Sequence, residues 1–82
     1  MNLQDILYKV SIDKVVGSTD IEISNIAFDS RKVSANGLFV AINGTISDGH
    51  QFIDSAIEKG AIAIIVEQIP ANINEDITYI KV

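Results

Sequence analysis

Apolar residues in this chain come in short runs whose spacing switches between helical and strand-like. Leu3, Ile6, Leu7 and Val10 recur every three or four residues, with Asn2 placed to cap the first turn and Asp5 placed to face the positive end of the helix dipole. This predicts a short helix from residue 3 to about residue 9. Ile12, Val15 and Val16 continue the apolar character until Gly17-Ser18-Thr19-Asp20, a cluster of turn formers, stops any regular element. Ile21-Glu22-Ile23 then alternates, and Ile26-Ala27-Phe28 puts Ile26 and Phe28 on one face, so both read as half-buried strands separated by Ser24-Asn25.

The second half carries the stronger pattern. Leu38-Phe39-Val40-Ala41-Ile42 is continuously apolar, as a strand covered on both faces would be, and Asn36-Gly37 supplies a turn before it. Phe52, Ile53, Ala56 and Ile57 form a helical stripe, with Asp48 as the N-cap, Gln51 three residues later and Gly60 as the stop. Ala61-Ile62-Ala63-Ile64-Ile65-Val66 is again uniformly apolar. Strand 38–42, helix 49–59 and strand 61–66 therefore make a βαβ unit, whose strands lie parallel and whose crossover is right-handed in nearly all proteins. A polar connection through Pro70 leads to a last strand-like run, residues 77–82. The predicted fold class is α/β: a small sheet, mostly parallel or mixed, built on the βαβ unit and preceded by a short N-terminal helix.

Composition narrows the function. With 48% apolar and 21% charged residues the 82-residue chain sits in the globular range, as one domain with no internal repeat or linker. A net charge of −5 denies it the positive field that captures nucleic acid or an anionic membrane surface. No cysteine and a single histidine exclude disulfides, thiolate catalysis and a multi-histidine metal site. The start of the chain has no basic region ahead of an apolar one, and no run approaches the ~20 apolar residues of a membrane span, so a soluble cytoplasmic protein is expected. The chain stops directly on its last strand, which points to a piece of something longer.

Residues 26–50 gather most of the chemistry, including the only Arg and the only His. Open α/β sheets bind ligands beyond the carboxyl ends of their strands, where loop 43–49 belongs. Thr45 and Ser47 offer hydroxyls, Gly44 and Gly49 allow close backbone approach, and the following helix directs N–H groups towards the loop. These suit a phosphate or a base edge, yet the same composition serves an ordinary cap, and neither G-x-G-x-x-G nor G-x-x-x-x-G-K-[ST] occurs. Asp29-Ser30-Arg31 is equally double-edged. Asp29 and Arg31 either close the turn as an ion pair or face a ligand, Ser30 is either a turn member or a donor, and residue types favour the structural reading. His50, at the first turn of the predicted helix, reads as a neutral imidazole rather than an acid or metal ligand. Glu75-Asp76 reads as a solvated pair.

Taken together, Ile-Ala-Phe-Asp-Ser-Arg-Lys-Val (26–33), Gly-Leu-Phe-Val-Ala-Ile-Asn-Gly (37–44) and the run from Asp48-Gly49-His50 to Glu67 resemble the N-terminal domain of the Mur ligases, the amide-forming enzymes of peptidoglycan assembly. Ser30 with Asp48-Gly49-His50 is most similar to the UDP-N-acetylmuramoyl-tripeptide synthetases. The sister ligases that add D-alanyl-D-alanine more often carry Thr in place of Ser30 and a residue other than Gly in place of Gly49. One departure is Asn36-Gly37, where the family commonly has Gly-Asp; a turn is still expected.

The resemblance implies a domain that grips the uridine end of UDP-N-acetylmuramoyl-L-alanyl-D-glutamate, in a ligase that adds meso-diaminopimelate or L-lysine. Substrate contacts would fall on Phe28 and Ser30 in the first loop and on Thr45, Ile46 and Ser47 in the second. Asp29, Arg31, Asp48, Gly49 and His50 would be loop framework or further contacts. No catalytic residue and no metal ligand is implied within residues 1–82. ATP and Mg2+ would belong to a central domain outside this chain, which with a C-terminal domain would be the domain's own partners. In the family reaction ATP phosphorylates the D-glutamyl carboxylate, and the incoming amine displaces phosphate from the acyl phosphate. The rival expectations are the D-alanyl-D-alanine-adding ligase, a freestanding nucleotide-binding module, and an interaction domain whose polar loops are only turns.

Overall fold

The computed structural model describes residues 1–41 and 52–82. Five strands form one sheet: β1 (Lys14–Val16), β2 (Ile26–Ala27), β3 (Gly37–Ala41), β4 (Ala61–Val66) and β5 (Thr78–Lys81). Their order across the sheet is β1-β5-β4-β3-β2, with β2 to β5 mutually parallel and β1 antiparallel to β5. Among the described residues two helices, α1 (Leu3–Ile6) and α2 (Ile53–Glu58), and a 3-10 turn at Ser30–Lys32 accompany the sheet. The expected βαβ unit is present, with β3 paired directly to β4.

Strand alternation sorts the core onto two faces. Phe39 and Ala41 of β3, Ile64 and Val66 of β4 and Tyr79 of β5 meet Ile53 and Ala56 of α2 on one face. Leu38, Ala63, Ile65 and Ile80 meet Leu3, Leu7 and Ile23 on the other. That is why β3 and β4 read as unbroken apolar runs: a parallel strand packed on both sides has no position left for a polar residue. Pairing passes from Gly37–Ala61 to Leu38–Ala63, so Ile62 is the extra residue of a bulge, and Ile62 and Ala63 both pack on the same face.

The connections β2–β3, β3–β4 and β4–β5 pack Val33, α2, and Ile69 with Ile77, respectively, on the same face. The chain thus advances strand by strand in one sense, and the carboxyl ends of β2, β3 and β4 share one edge. At the far side, β1 shields β5 through its ladder and an ion pair from Lys81 Nζ to Asp13 Oδ2 at 2.7 Å, whose hydrogen bond and charge lower the Asp13 pKa.

Several expectations are corrected. Asn2 caps α1 as predicted, its Oδ1 accepting from Gln4 N–H at 2.9 Å, but the helix ends at Ile6: Leu7 at its C-cap is still buried, while Tyr8 beyond it is 83% exposed. Residues 21–23 are not a strand; Ile23 is buried and Glu22 makes only an isolated bridge to Asn2. Ile26 and Phe28 are exposed and Ala27 is the buried residue, since β2 is an edge strand and α1 does not reach over it. The strand β1 was not anticipated. Strand 38–42 runs from Gly37 to Ala41 among the described residues. Helix 49–59 is observed among the described residues as Ile53–Glu58, with Phe52 exposed rather than part of the buried stripe; its expected start at residues 49–51 and its predicted N-cap Asp48 lie outside the described residues.

Gly60 ends α2 at φ +112°, as its position in the sequence predicts, and its carbonyl accepts from Asn36 N–H at 2.9 Å. A Cβ at Gly60 would lie 2.7 Å from Ala35 Cα, so helix end and turn touch backbone to backbone. Gly60→Ala is therefore expected to destabilise the 82-residue chain by about 1–3 kcal/mol, through both the left-handed backbone and the clash. A urea titration that leaves the unfolding midpoint unchanged would contradict this close approach.

Candidate functional site

The first polar loop begins where β2 ends. Asp29, in extended conformation, caps the 3-10 turn: its Oδ1 accepts from Arg31 N–H at 2.9 Å, and its backbone carbonyl accepts from Lys32 N–H at 2.9 Å. Arg31 folds back on the same carboxylate, Nε reaching Oδ1 at 3.1 Å and Nη2 reaching Oδ2 at 2.8 Å. This two-pronged pairing closes the turn, a planar fork matched to a carboxylate. Its effect is to fix a geometry more than to add stability, because the Arg31 side chain is 83% exposed and screened by solvent.

The capped turn sets its neighbours in opposite environments. Ser30, the first residue of the turn, is 6% exposed, whereas Phe28, two residues earlier, is 74% exposed. Val33 pins the far end of the turn to the core beside α2. A buried hydroxyl residue and a solvent-facing aromatic ring thus stand together at the carboxyl end of β2, on the edge of the sheet where open α/β folds receive ligands.

A second group of polar residues, passed over in the sequence as a mere break between strands, braces this loop from behind. Ser24 Oγ donates to the Ala35 carbonyl at 2.5 Å, Ser24 N–H to the Asn36 carbonyl at 2.9 Å, and Leu38 N–H to the Asn25 carbonyl at 2.8 Å. Asn25 Nδ2 donates to the Lys32 carbonyl at 3.3 Å, while its Oδ1 accepts from Ser34 Oγ at 3.0 Å. The signal for these contacts was the side chains themselves, since Ser and Asn compete for nearby backbone groups wherever regular structure stops.

Asn36-Gly37 makes its turn as expected, and the two residues contribute differently. Asn36 carries the positive φ, +63°, while Gly37 provides room: a Cβ there would lie 2.5 Å from Asn25 Oδ1. The residues expected in the second loop, Thr45, Ile46, Ser47, Asp48, Gly49 and His50, lie outside the described residues. Phe52, just beyond them, is a further exposed aromatic residue that the helical pattern had placed in the core.

A cavity of about 310 Å³ lies at the opposite edge, against Gly17, Ser18, Ile62 and Thr78, with Glu75 and Asp76 on its wall. It opens at the amino end of β5, and its two carboxylates disfavour an anionic ligand. Among the described residues no group of three or more His, Cys, Asp or Glu could hold a metal ion, and no helix is long and apolar enough to cross a membrane.

A mostly parallel sheet with a braced polar loop at its carboxyl edge defines the class: a small α/β domain. Residues 22–82 match the family model described as Mur ligase family, catalytic domain, and the chain belongs to the Mur ligase family. It is 46% identical over all 82 residues to the UDP-N-acetylmuramoyl-L-alanyl-D-glutamate–2,6-diaminopimelate ligase of Bacteroides fragilis, and 48% identical over 82 residues to that of Clostridioides difficile. It covers 17% and 16% of those two proteins, so it spans about one sixth of their length. Among solved structures it resembles the MurF ligase of Thermotoga maritima in complex with ADP, with a TM-score of 0.61 and 36% identity over 71% of this chain and 13% of that one. A MurF structure from Acinetobacter baumannii gives a TM-score of 0.66 at 26% identity over 99% of this chain and 17% of that one.

The Asp29 carboxyl is held down to about 2 from its usual 3.8, chiefly by the side-chain hydrogen bonds of Arg31 and then by the Arg31 backbone N–H. Because the folded value is the lower one, the pair's contribution to stability is complete above the unfolded value and is lost as pH falls from 3.8 through about 2. Asp29→Asn is expected to flatten the pH dependence of the urea midpoint over that interval. A variant that retains the wild-type acid slope, or an Asp29 carboxyl that titrates by NMR at its usual value, would contradict the pairing.

Proposed function

We propose that this chain is the N-terminal substrate-anchoring domain of a cytoplasmic ATP-dependent ligase that adds 2,6-diaminopimelate to UDP-N-acetylmuramoyl-L-alanyl-D-glutamate in peptidoglycan synthesis. The observation that carries the reading is the exposed ring of Phe28 beside the buried Ser30 at the carboxyl edge, in a chain 46% identical throughout to ligases of that name. An aromatic face left in water suits stacking on a planar base such as uracil, and a serine fixed by a capped turn suits a directed hydrogen bond. Thr45, Ile46 and Ser47 would complete the grip from the second loop, with Asp48, Gly49 and His50 as its framework.

The role is binding and orientation. Contacts with the nucleotide end, remote from the reacting D-glutamyl carboxylate, can hold that carboxylate in place for chemistry performed by other domains. ATP and Mg2+ are assigned to the central domain of the longer ligase in this reading, since the sequence lacks G-x-x-x-x-G-K-[ST]. No step of the reaction is assigned to these residues, and the groups that hold ATP, the metal and the amino-acid acceptor belong to the central and C-terminal domains of the longer ligase.

The MurF neighbours favour a second reading, a ligase that adds D-alanyl-D-alanine. The sequence relatives weigh against it, with 42–48% identity to diaminopimelate ligases against 26–36% to the MurF structures.

Coding sequence downstream of Val82 is expected to contain G-x-x-x-x-G-K-[ST]; a stop codon in its place would leave a freestanding module. In the ligase, Ser30→Ala is expected to weaken binding of UDP-N-acetylmuramoyl-L-alanyl-D-glutamate by about 1 kcal/mol, with the fold intact. Calorimetry that finds the affinity unchanged would remove Ser30 from the site.

A further inference from the structure

We propose that Asn25 is a positioning residue for the nucleotide-binding loop, an inference that rests on the function proposed above. The 3-10 turn that displays Phe28 and Ser30 is short and is held unevenly by its own hydrogen bonds: Lys32 N–H reaches the Asp29 carbonyl at 2.9 Å, but at the far end Val33 N–H reaches the Ser30 carbonyl only at 3.5 Å. Turns of this kind keep one geometry when their ends are tied from outside. Asp29 and Arg31 tie the first end, and Asn25 ties the second.

Its amide uses both of its arms. Nδ2 holds the Lys32 carbonyl, the last residue of the turn, and Oδ1 holds Ser34 Oγ, while the Asn25 backbone carbonyl accepts from Leu38 N–H. One residue at the entry to β2 thus joins the loop's end to the start of β3. Gly37 fits the same arrangement, since any side chain there would displace Asn25 Oδ1. The geometry specifies an amide: aspartate, of the same shape, would set a carboxylate oxygen against the Lys32 carbonyl in place of a donor. Ser24 and Ser34 brace the same segment, so removing the amide's donor lets the loop shift without unfolding the sheet.

The test uses the complete ligase, with UDP-N-acetylmuramoyl-L-alanyl-D-glutamate and ATP varied separately. Asn25→Asp is expected to raise KM for the nucleotide substrate ~5–10-fold, as loss of one directed hydrogen bond would, with kcat and the KM for ATP unchanged. Ser34→Ala, which removes the other arm, should move the same constant in the same direction by less. Phe28→Ala serves as the control for the site itself. If Phe28→Ala raises that KM and Asn25→Asp does not, the positioning role is overturned and the site stands. If neither variant raises it, the site reading fails and the positioning role falls with it. A proportional loss in kcat or in ATP affinity for Asn25→Asp would mark general structural damage and also overturn the proposal.

Discussion

Direct parallel pairing of β3 with β4 is the constraint on which the rest of the molecule depends. Parallel neighbours cannot be joined by a tight turn, so the chain must leave the carboxyl end of one strand and return across a face to the amino end of the next. Here every such return uses the same face, through Val33, α2 and Ile77. The opposite face is left for the N-terminal segment, where Leu3, Leu7 and Ile23 cover Leu38, Ala63 and Ile80. Because the strands run one way, the loops that leave β2 and β3 start at a common edge.

The amino edge of the sheet is held by close backbone approaches, and their effect reaches the carboxyl edge. Gly60 allows the end of α2 to touch Ala35, Gly37 makes room for Asn25, and Ser24 and Asn36 carry the hydrogen bonds between these segments. The connection from Asp29 to Gly37 is consequently fixed at both ends although it contains only one turn of 3-10 helix. Such a connection has little conformational freedom left to lose, which would suit the binding role proposed for it.

The division of labour proposed for this member of the Mur ligase family has a physical logic. A sheet edge with an exposed aromatic ring and a fixed serine can supply affinity and register, while the acidic composition of the domain offers no general attraction for the phosphates of nucleic acid. On the proposed function, binding energy gathered at the nucleotide end serves a reaction elsewhere best when the loop that gathers it is rigid, and the polar residues behind the loop would then contribute without touching substrate.

Much of the fold was legible in the sequence because the patterns concerned are local. The apolar runs of β3 and β4, the Asn2 cap, the Gly60 stop and the polar turn at Asp29-Ser30-Arg31 each follow from the preferences of a few consecutive residues. Pairing between distant segments was not legible. The strand β1 exists only because Lys14–Val16 meets β5, and Ile26 and Phe28 are exposed only because β2 lies at an edge that α1 does not cover. The sequence by itself determined which residues form turns, caps and buried strands, and its resemblance pointed to Phe28 and Ser30. Only the tertiary structure decided that Asn25, Ser34 and Gly37 brace the loop bearing them, because hydrogen bonds across nine residues and the space beside a side chain exist only once the chain has closed on itself.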